Sequence, residues 1–329
     1  MQLYLLLTER CNLSCPSCIR GKKKKNVYLD AAAWMSVLKR NAAAFRDYQL
    51  LVTGGEPTLH PQMTEIIRAS RPFFRSISIN TNGVIGTWVN ASDFSDIHVQ
   101  VSLDGTPEMH NRMRGDGRQD VFSCVNQTIE KLGECHISYN ISTTVNVQNY
   151  DNIFQMPGFI ARYFNLRYWK ISPELPFGCS SDEKILRPLP WNQLIDFLLD
   201  HARVRLKVRK LFDFALADRF LATHDLSEPS KTRNCGDVVN KVYVYPDLTV
   251  YPCTCLTDFP LGNLKTQSLM AIVHSARAEI FRNYTVKEDS VCAACKYLPI
   301  CNGGCIGMSY HHFKELGRGD FRCPKLGKL

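Results

Sequence analysis

Short apolar runs and longer stretches of helical spacing take turns through the first half of the chain. Residues 3–7 are an apolar run that predicts a buried strand. Residues 31–45 have helical spacing and good helix formers. Residues 50–53 are strand-like and end in Gly54-Gly55. Residues 61–70 predict a helix with proline at an early position. Residues 76–79 alternate, then meet the turn sequence Asn80-Thr81-Asn82-Gly83. Residues 97–101 predict a further strand, running into Ser102-Leu103-Asp104-Gly105. Beyond it, 121–132 predict a helix, 137–147 a long strand, 154–164 a helix and 166–171 a strand.

Strands that alternate with helices mean βαβ units and a parallel sheet, so the fold class expected is α/β. Six such units predict a partial (β/α)6 TIM-like barrel over residues 1–185. Barrels of this kind carry their active groups at the C-terminal ends of the strands. The polar and glycine motifs fall there, after Leu7, Thr53, Ile79 and Val101. Residues 191–199 and 206–221 predict two amphipathic helices after a proline- and serine-containing stretch, giving a helical linker over 186–232. The region 233–329 has another texture. Residues 242–245 and 249–251 alternate around Pro246-Asp247-Leu248, which predicts a hairpin, and 268–281 predict one helix. A segment this small with so little apolar continuity needs a metal to fold.

Composition narrows the setting. No apolar run approaches the roughly 20 residues that span a bilayer. Residues 3–7 are too short for a signal-peptide core and lack a basic segment before them, so a cytoplasmic protein with no membrane partner is expected. A net charge of +9 points to nucleic acid only with a basic patch or binding motif beside it, and no nucleic-acid partner is expected. The lysine run at residues 22–25 reads as a solvated loop or, more sharply, as a mouth that attracts an acidic peptide or a cofactor carboxylate.

Cysteine changes the picture most. The chain has 14, and reducing cytosol turns such a count toward metal binding or catalysis. They sort to the two ends, with only Cys124, Cys135 and Cys179 between. Cys11, Cys15 and Cys18 follow the first strand with the spacing C-x3-C-x2-C. Three thiolates on one loop hold three irons of a [4Fe–4S] cube and leave the fourth iron open to chemistry. Zinc usually asks for paired C-x2-C units, and no second pair lies nearby.

This loop resembles the signature of the radical S-adenosylmethionine (SAM) superfamily. The resemblance implies that the open iron chelates SAM, and that reductive cleavage yields a 5′-deoxyadenosyl radical that takes a hydrogen atom from substrate. Gly54-Gly55-Glu56-Pro57 looks like the family motif that binds the SAM amino group, its glycines allowing close backbone approach. Asn80, Ser102 and Asp104 sit where the family places contacts to the SAM carboxylate and ribose, and Val145 where it backs the adenine. The family often has an aromatic residue before the third cysteine; here it is Ser17.

The remaining cysteines run Cys235, Cys253, Cys292-x2-Cys295-x5-Cys301-x3-Cys305, Cys323. Their order and spacing resemble the seven-cysteine SPASM extension of radical SAM peptide maturases. The resemblance implies a distal cluster on Cys292, Cys295, Cys301 and Cys323, and a proximal one on Cys235, Cys253 and Cys305, for three [4Fe–4S] clusters in all. The proximal fourth ligand is Cys255, Cys179 or an open position. Two zinc sites fit the same thiolates chemically. The family usually has glycine where Leu248 stands, so the hairpin turn falls to Asp247.

The likeness covers nearly the whole chain and includes His110 and Arg114 after Ser102-Leu103-Asp104-Gly105. It implies an oxidoreductase that modifies a ribosomally made precursor peptide, a side-chain cross-link being the expected product. Electrons would come from a cytosolic donor such as flavodoxin or ferredoxin. Formylglycine formation is the alternative, but those maturases carry an aspartate after the second SPASM cysteine, where this chain has Thr254. Radical chemistry on a small molecule is another, and a non-enzymatic zinc-binding interaction protein comes from a different class. No catalytic acid or base is assigned.

Overall fold

The computed structural model describes residues 1–21, 26–115, 120–224 and 234–326. Its centre is one sheet. The strands are Gln2–Leu6 (β1), Gln49–Thr53 (β2), Ser76–Thr81 (β3), His98–Ser102 (β4), Tyr139–Val145 (β5), Leu166–Pro173 (β6), Leu206–Lys207 (β7), Lys241–Val244 (β8), Thr249–Tyr251 (β9) and Gly262–Asn263 (β10). Strands β1 to β6 pair in parallel in chain order. The sheet ends at β7 on one side and β10 on the other, an open partial barrel.

The strands have two unlike faces. Leu3, Leu5, Leu50, Val52, Ile79, Val99, Val101 and Ile141 are fully buried beneath the outer helices. The alternate positions, among them Gln49, Ser78, Asn80, Gln100, Asn140 and Lys170, line the lumen. Period-two alternation in a parallel barrel therefore buries one face and keeps the other polar. The outer helices match. Ala31–Arg40 buries Trp34, Val37 and Leu38, and its cap Asp30 accepts a hydrogen bond from the Ala33 amide. Val121–Glu134 buries Val125, Ile129 and Leu132.

Several elements differ from the sequence reading. Residues 206–221 do not form one helix. Arg203 to Arg209 alternate cation and apolar residue, a strand pattern, and β7 pairs in parallel with β6. The helix Phe214–Thr223 starts only where Asp213 caps it. The predicted long strand stops at Val145, because Asn146 and Asn149 fold the chain back through side chain–backbone bonds. Residues 154–164 give Met156–Ile160 preceded by Tyr150–Ile153. Residues 268–281 split into Leu269–Val273 and Ala276–Arg282, each with its own serine cap. The helix expected from residue 61 is Met63–Ser70, so that proline lies outside it.

The predicted hairpin is present: β8 and β9 pair antiparallel. It also continues the barrel, since β8 pairs in parallel with β1. The cysteine-rich region is thereby fixed beside the strand that leads into the first cysteine loop. Asp247 closes the hairpin by accepting from the Thr249 amide and hydroxyl, each at 3.0 Å. The left-handed residue, however, is Leu248 itself, at φ 67° and 1% exposed. A turn that favours glycine here holds a core side chain instead.

Candidate active site

The first cysteine loop leaves β1 through Thr8, whose hydroxyl donates to the Val27 carbonyl at 2.8 Å and accepts from the Arg10 amide at 3.0 Å. The end of β2 comes up against this segment. The Gly55 amide donates to the Thr8 carbonyl and the Glu56 amide to the Arg10 carbonyl, both at 2.7 Å. A methyl group on Gly54 would stand 2.5 Å from the Thr8 oxygen, and one on Gly55 2.1 Å from the Arg10 oxygen. What approaches these glycines is the backbone of the cluster loop itself.

Glu56 is buried and spends both carboxylate oxygens inside the protein. One accepts from the Thr58 amide at 3.2 Å, the Thr58 hydroxyl at 2.8 Å and the Thr81 hydroxyl at 2.7 Å; the other accepts from the Asn82 amide at 2.7 Å. Burial pushes its carboxyl up, and these donors pull it back. Asn82 in turn donates to the Asn12 side chain at 2.8 Å and lies 3.8 Å from the Cys11 sulfur. Glu56 thus ties the ends of β2 and β3 to the cysteine loop.

Asp104 does similar work from β4. It is fully buried and accepts from the Thr144 amide at 2.8 Å and from Arg114 Nε at 2.6 Å. The Arg114 carbonyl is 3.9 Å from the Cys15 sulfur. Burial pushes the Cys15 thiol up, Arg114 pulls it down, and Cys11, Asp104 and Cys18 push it up. Arg114 thus sets its charge beside Cys15 and Cys11. His110 accepts from the Asp104 amide at 3.0 Å, and burial drives its pKa down to about 4.

Among the residues expected to touch SAM, Asn80 and Ser102 are on the lumen face, whereas Glu56, Asp104 and Val145 are buried within the fold. Arg114 had a sequence signal, its spacing from Asp104, but no assigned role. The lysine run at residues 22–25 lies outside the described residues.

The C-terminal thiols form two groups. Cys253 lies within hydrogen-bonding reach of both Cys235 and Cys255; Cys235 pulls its pKa down, and Cys255 and burial push it up, to about 12. Cys305 is raised to about 11 by burial, Asp320 and Cys235. A methyl on Gly307 would meet Cys255 Cβ at 3.1 Å and the Cys305 sulfur at 3.8 Å. Four thiols, Cys235, Cys253, Cys255 and Cys305, thus stand together, with Arg322 close to the last two. In the second group, burial raises Cys292 to about 11, followed by Cys301, Cys323 and Cys295. Cys179 belongs to neither: its amide donates to the Cys18 carbonyl at 2.9 Å, beside the first loop.

Among the described residues no three Cys, His, Asp or Glu are already gathered as ligands of a single metal ion. The donor chemistry nevertheless fits thiolate-held iron–sulfur clusters: three sulfurs on one loop and two groups of four. A cleft of about 530 Å³ joins the two regions. Ile19 and Arg20 line it from the first loop, and Tyr245, Thr254 and Cys255 from the hairpin side.

Known proteins agree with this layout. Residues 5–156 match the radical SAM superfamily and residues 235–296 the SPASM iron–sulfur cluster-binding domain. The chain carries a radical SAM domain followed by a SPASM domain. This radical SAM protein is an enzyme that binds SAM and iron–sulfur clusters. It is similar to the mycofactocin maturase MftC of Mycolicibacterium smegmatis, 24% identical over 96% of this chain and 81% of that protein. It also resembles the sporulation killing factor maturation protein SkfB of Bacillus subtilis, 26% identical over 83% of this chain and 64% of that protein. The fold matches Streptococcus suis SuiB bound to its precursor peptide SuiA, with TM-score 0.78 at 18% identity over 98% of this chain and 75% of that one. It also matches anSMEcpe with bound AdoMet, with TM-score 0.73 at 20% identity over 99% and 91%. Among the described residues no helix is long and apolar enough to cross a membrane.

Proposed function

We infer that this radical SAM enzyme matures a ribosomally made precursor peptide by closing a side-chain cross-link. The observation that carries the reading is the cleft shared by the first cysteine loop and Cys255, whose thiol group stands with Cys235, Cys253 and Cys305. A peptide segment in that cleft reaches both regions at once. That MftC and SkfB are maturases, and that SuiB was solved with a precursor peptide, supports a peptide substrate.

Three [4Fe–4S] clusters account for the three thiol groups, with Cys255 rather than Cys179 as the fourth proximal ligand. When bound, SAM and its cluster supply a carbon-centred radical that takes one hydrogen atom from substrate. Gly54, Gly55 and Glu56 hold the loop, Arg114 sets a positive charge beside it, and Asn80 and Ser102 offer polar contacts on the lumen face. Cross-linking then removes one proton and one electron from the substrate as the new bond forms. Clusters held by Cys235, Cys253, Cys255 and Cys305, and by Cys292, Cys295, Cys301 and Cys323, would supply an acceptor for that electron. A reducing cytoplasm, with a flavodoxin or ferredoxin donor, suits the 14 cysteines.

The test is anaerobic incubation of the reconstituted enzyme with SAM, dithionite and a candidate precursor peptide, read by tandem mass spectrometry. A peptide that loses two hydrogen atoms, with fragments missing between two linked residues, supports cross-linking. Formylglycine at a single residue, or an unmodified peptide alongside reductive SAM cleavage, overturns it.

A further inference from the structure

The lumen of the barrel has a charge imbalance that the chemistry above does not use. A cavity of about 590 Å³ opens there, lined by the polar face of the strands. Lys170 on β6 projects into it and donates to the Gln100 side-chain oxygen at 3.2 Å. The charges that Lys170 feels most are Lys207 on β7 and Lys241 on β8, both of its own sign, and these add to burial in drawing its pKa down to about 8. Arg167 and Arg205 also line the cavity. The cavity's one lining carboxylate, Asp96, is held by Arg71 Nε and a second guanidinium nitrogen at 2.8 and 2.9 Å. Lys241 has a hydrogen-bonding partner of its own in the Cys235 thiol. Among the described lining residues no anion is left for Lys170. An ammonium drawn from water and flanked by cations costs stability unless something neutralises it.

We propose that the lumen around Lys170 is a binding site for a carboxylate of the peptide substrate, with Lys170 as the residue that selects it. The Gln100 side-chain amide, its oxygen already holding the ammonium, adds a neutral N–H donor beside it for a carboxylate. The place is also right. Asn80, on the lumen face at the SAM end, lines the same cavity, and Ser102 follows Gln100 by two residues on β4. Through Ser142 the backbone of Lys170 is in register with Ser102, while its ammonium reaches back to Gln100. This rests on the peptide-substrate reading and gives it a chemical preference.

The test needs no turnover, so its failure is separable from failure of the maturase reading, which reductive SAM cleavage and peptide mass report. Acetyl-Ala-Glu-Ala-amide and its glutamine isostere are titrated calorimetrically against the anaerobically reconstituted enzyme, its Lys170→Met variant and, as a surface control, Lys39→Met. The glutamate peptide binds at least about tenfold more tightly than the glutamine peptide to the wild type and to Lys39→Met, and Lys170→Met removes the difference; tenfold corresponds to about 1.4 kcal/mol. In the same samples Lys170→Met raises the melting temperature, and the glutamate peptide raises it only where Lys170 is present. Equal affinity for the two peptides, no measurable binding at millimolar concentration, or an unchanged preference in Lys170→Met each overturns the assignment. Tighter binding of inorganic phosphate than of the glutamate peptide overturns the carboxylate in favour of a phosphorylated ligand.

Discussion

Asp104 Oδ2 accepts from Arg114 Nε at 2.6 Å, and the carbonyl of the same arginine stands 3.9 Å from the Cys15 sulfur. A carboxylate expected to contact the cofactor is instead the anchor of a cation beside the cysteine loop. Asp104 is fully buried and the arginine side chain 17% exposed, so the pair is largely out of water. Asp104→Asn leaves the guanidinium without its counter-charge and lowers stability by about 3–5 kcal/mol, the cost of breaking a buried pair from one side. Urea unfolding of the metal-free protein measures it. A change within experimental error contradicts the anchoring role.

Gly55→Ala pushes a methyl against the Arg10 carbonyl, where 2.1 Å is available. The cluster loop has to move, and the two auxiliary thiol groups do not. The variant should lose about four of twelve irons per chain after reconstitution, one cube's worth, together with SAM cleavage. Full iron and full cleavage count against the close-approach role of the glycine.

Cys255 and Cys179 separate in the same assay. Cys255→Ala removes a member of the proximal thiol group and lowers its iron occupancy. Cys179→Ala leaves iron unchanged, because Cys179 is tied by its backbone to the first loop. The reverse pattern moves the fourth ligand to Cys179.

His110 gives a pH signature. Its folded pKa is drawn to about 4 from an ordinary 6.5, so the unfolded chain binds the extra proton first as pH falls. The stability it contributes is complete above about pH 6.5 and is lost as pH falls toward about 4, about 3 kcal/mol for the interval. His110→Gln, which keeps an acceptor for the Asp104 amide, should flatten that part of the stability curve of the metal-free protein. Parallel curves would falsify the assignment.

Leu248 sets two effects against each other. Glycine there relieves a left-handed backbone at φ 67°, worth about 1–3 kcal/mol. It also empties a core position, at about 2–5 kcal/mol for comparable leucine truncations. Leu248→Gly should therefore destabilise by about 1–3 kcal/mol in urea titration. Stabilisation means that the turn strain dominates.

The alternation of strands and helices was legible because it rests on a local signal. Alternation marked β3 and β4, and thiol spacing marked the first loop. Long-range relationships were not legible. Nothing in residues 241–244 says that they pair with β1, since parallel register depends on distant partners. Asp104 and Glu56 were expected to touch SAM because motif position cannot tell a ligand from the residue that holds the ligand's loop. Lys170 carried a signal of its own: an ammonium at an inward position of β6, three residues after Arg167.

Iron, sulfide and zinc per chain, measured after anaerobic isolation and reconstitution, test the central claim most directly. Three cubes on these thiols require about twelve iron and twelve sulfide. Zinc with no iron would contradict the account.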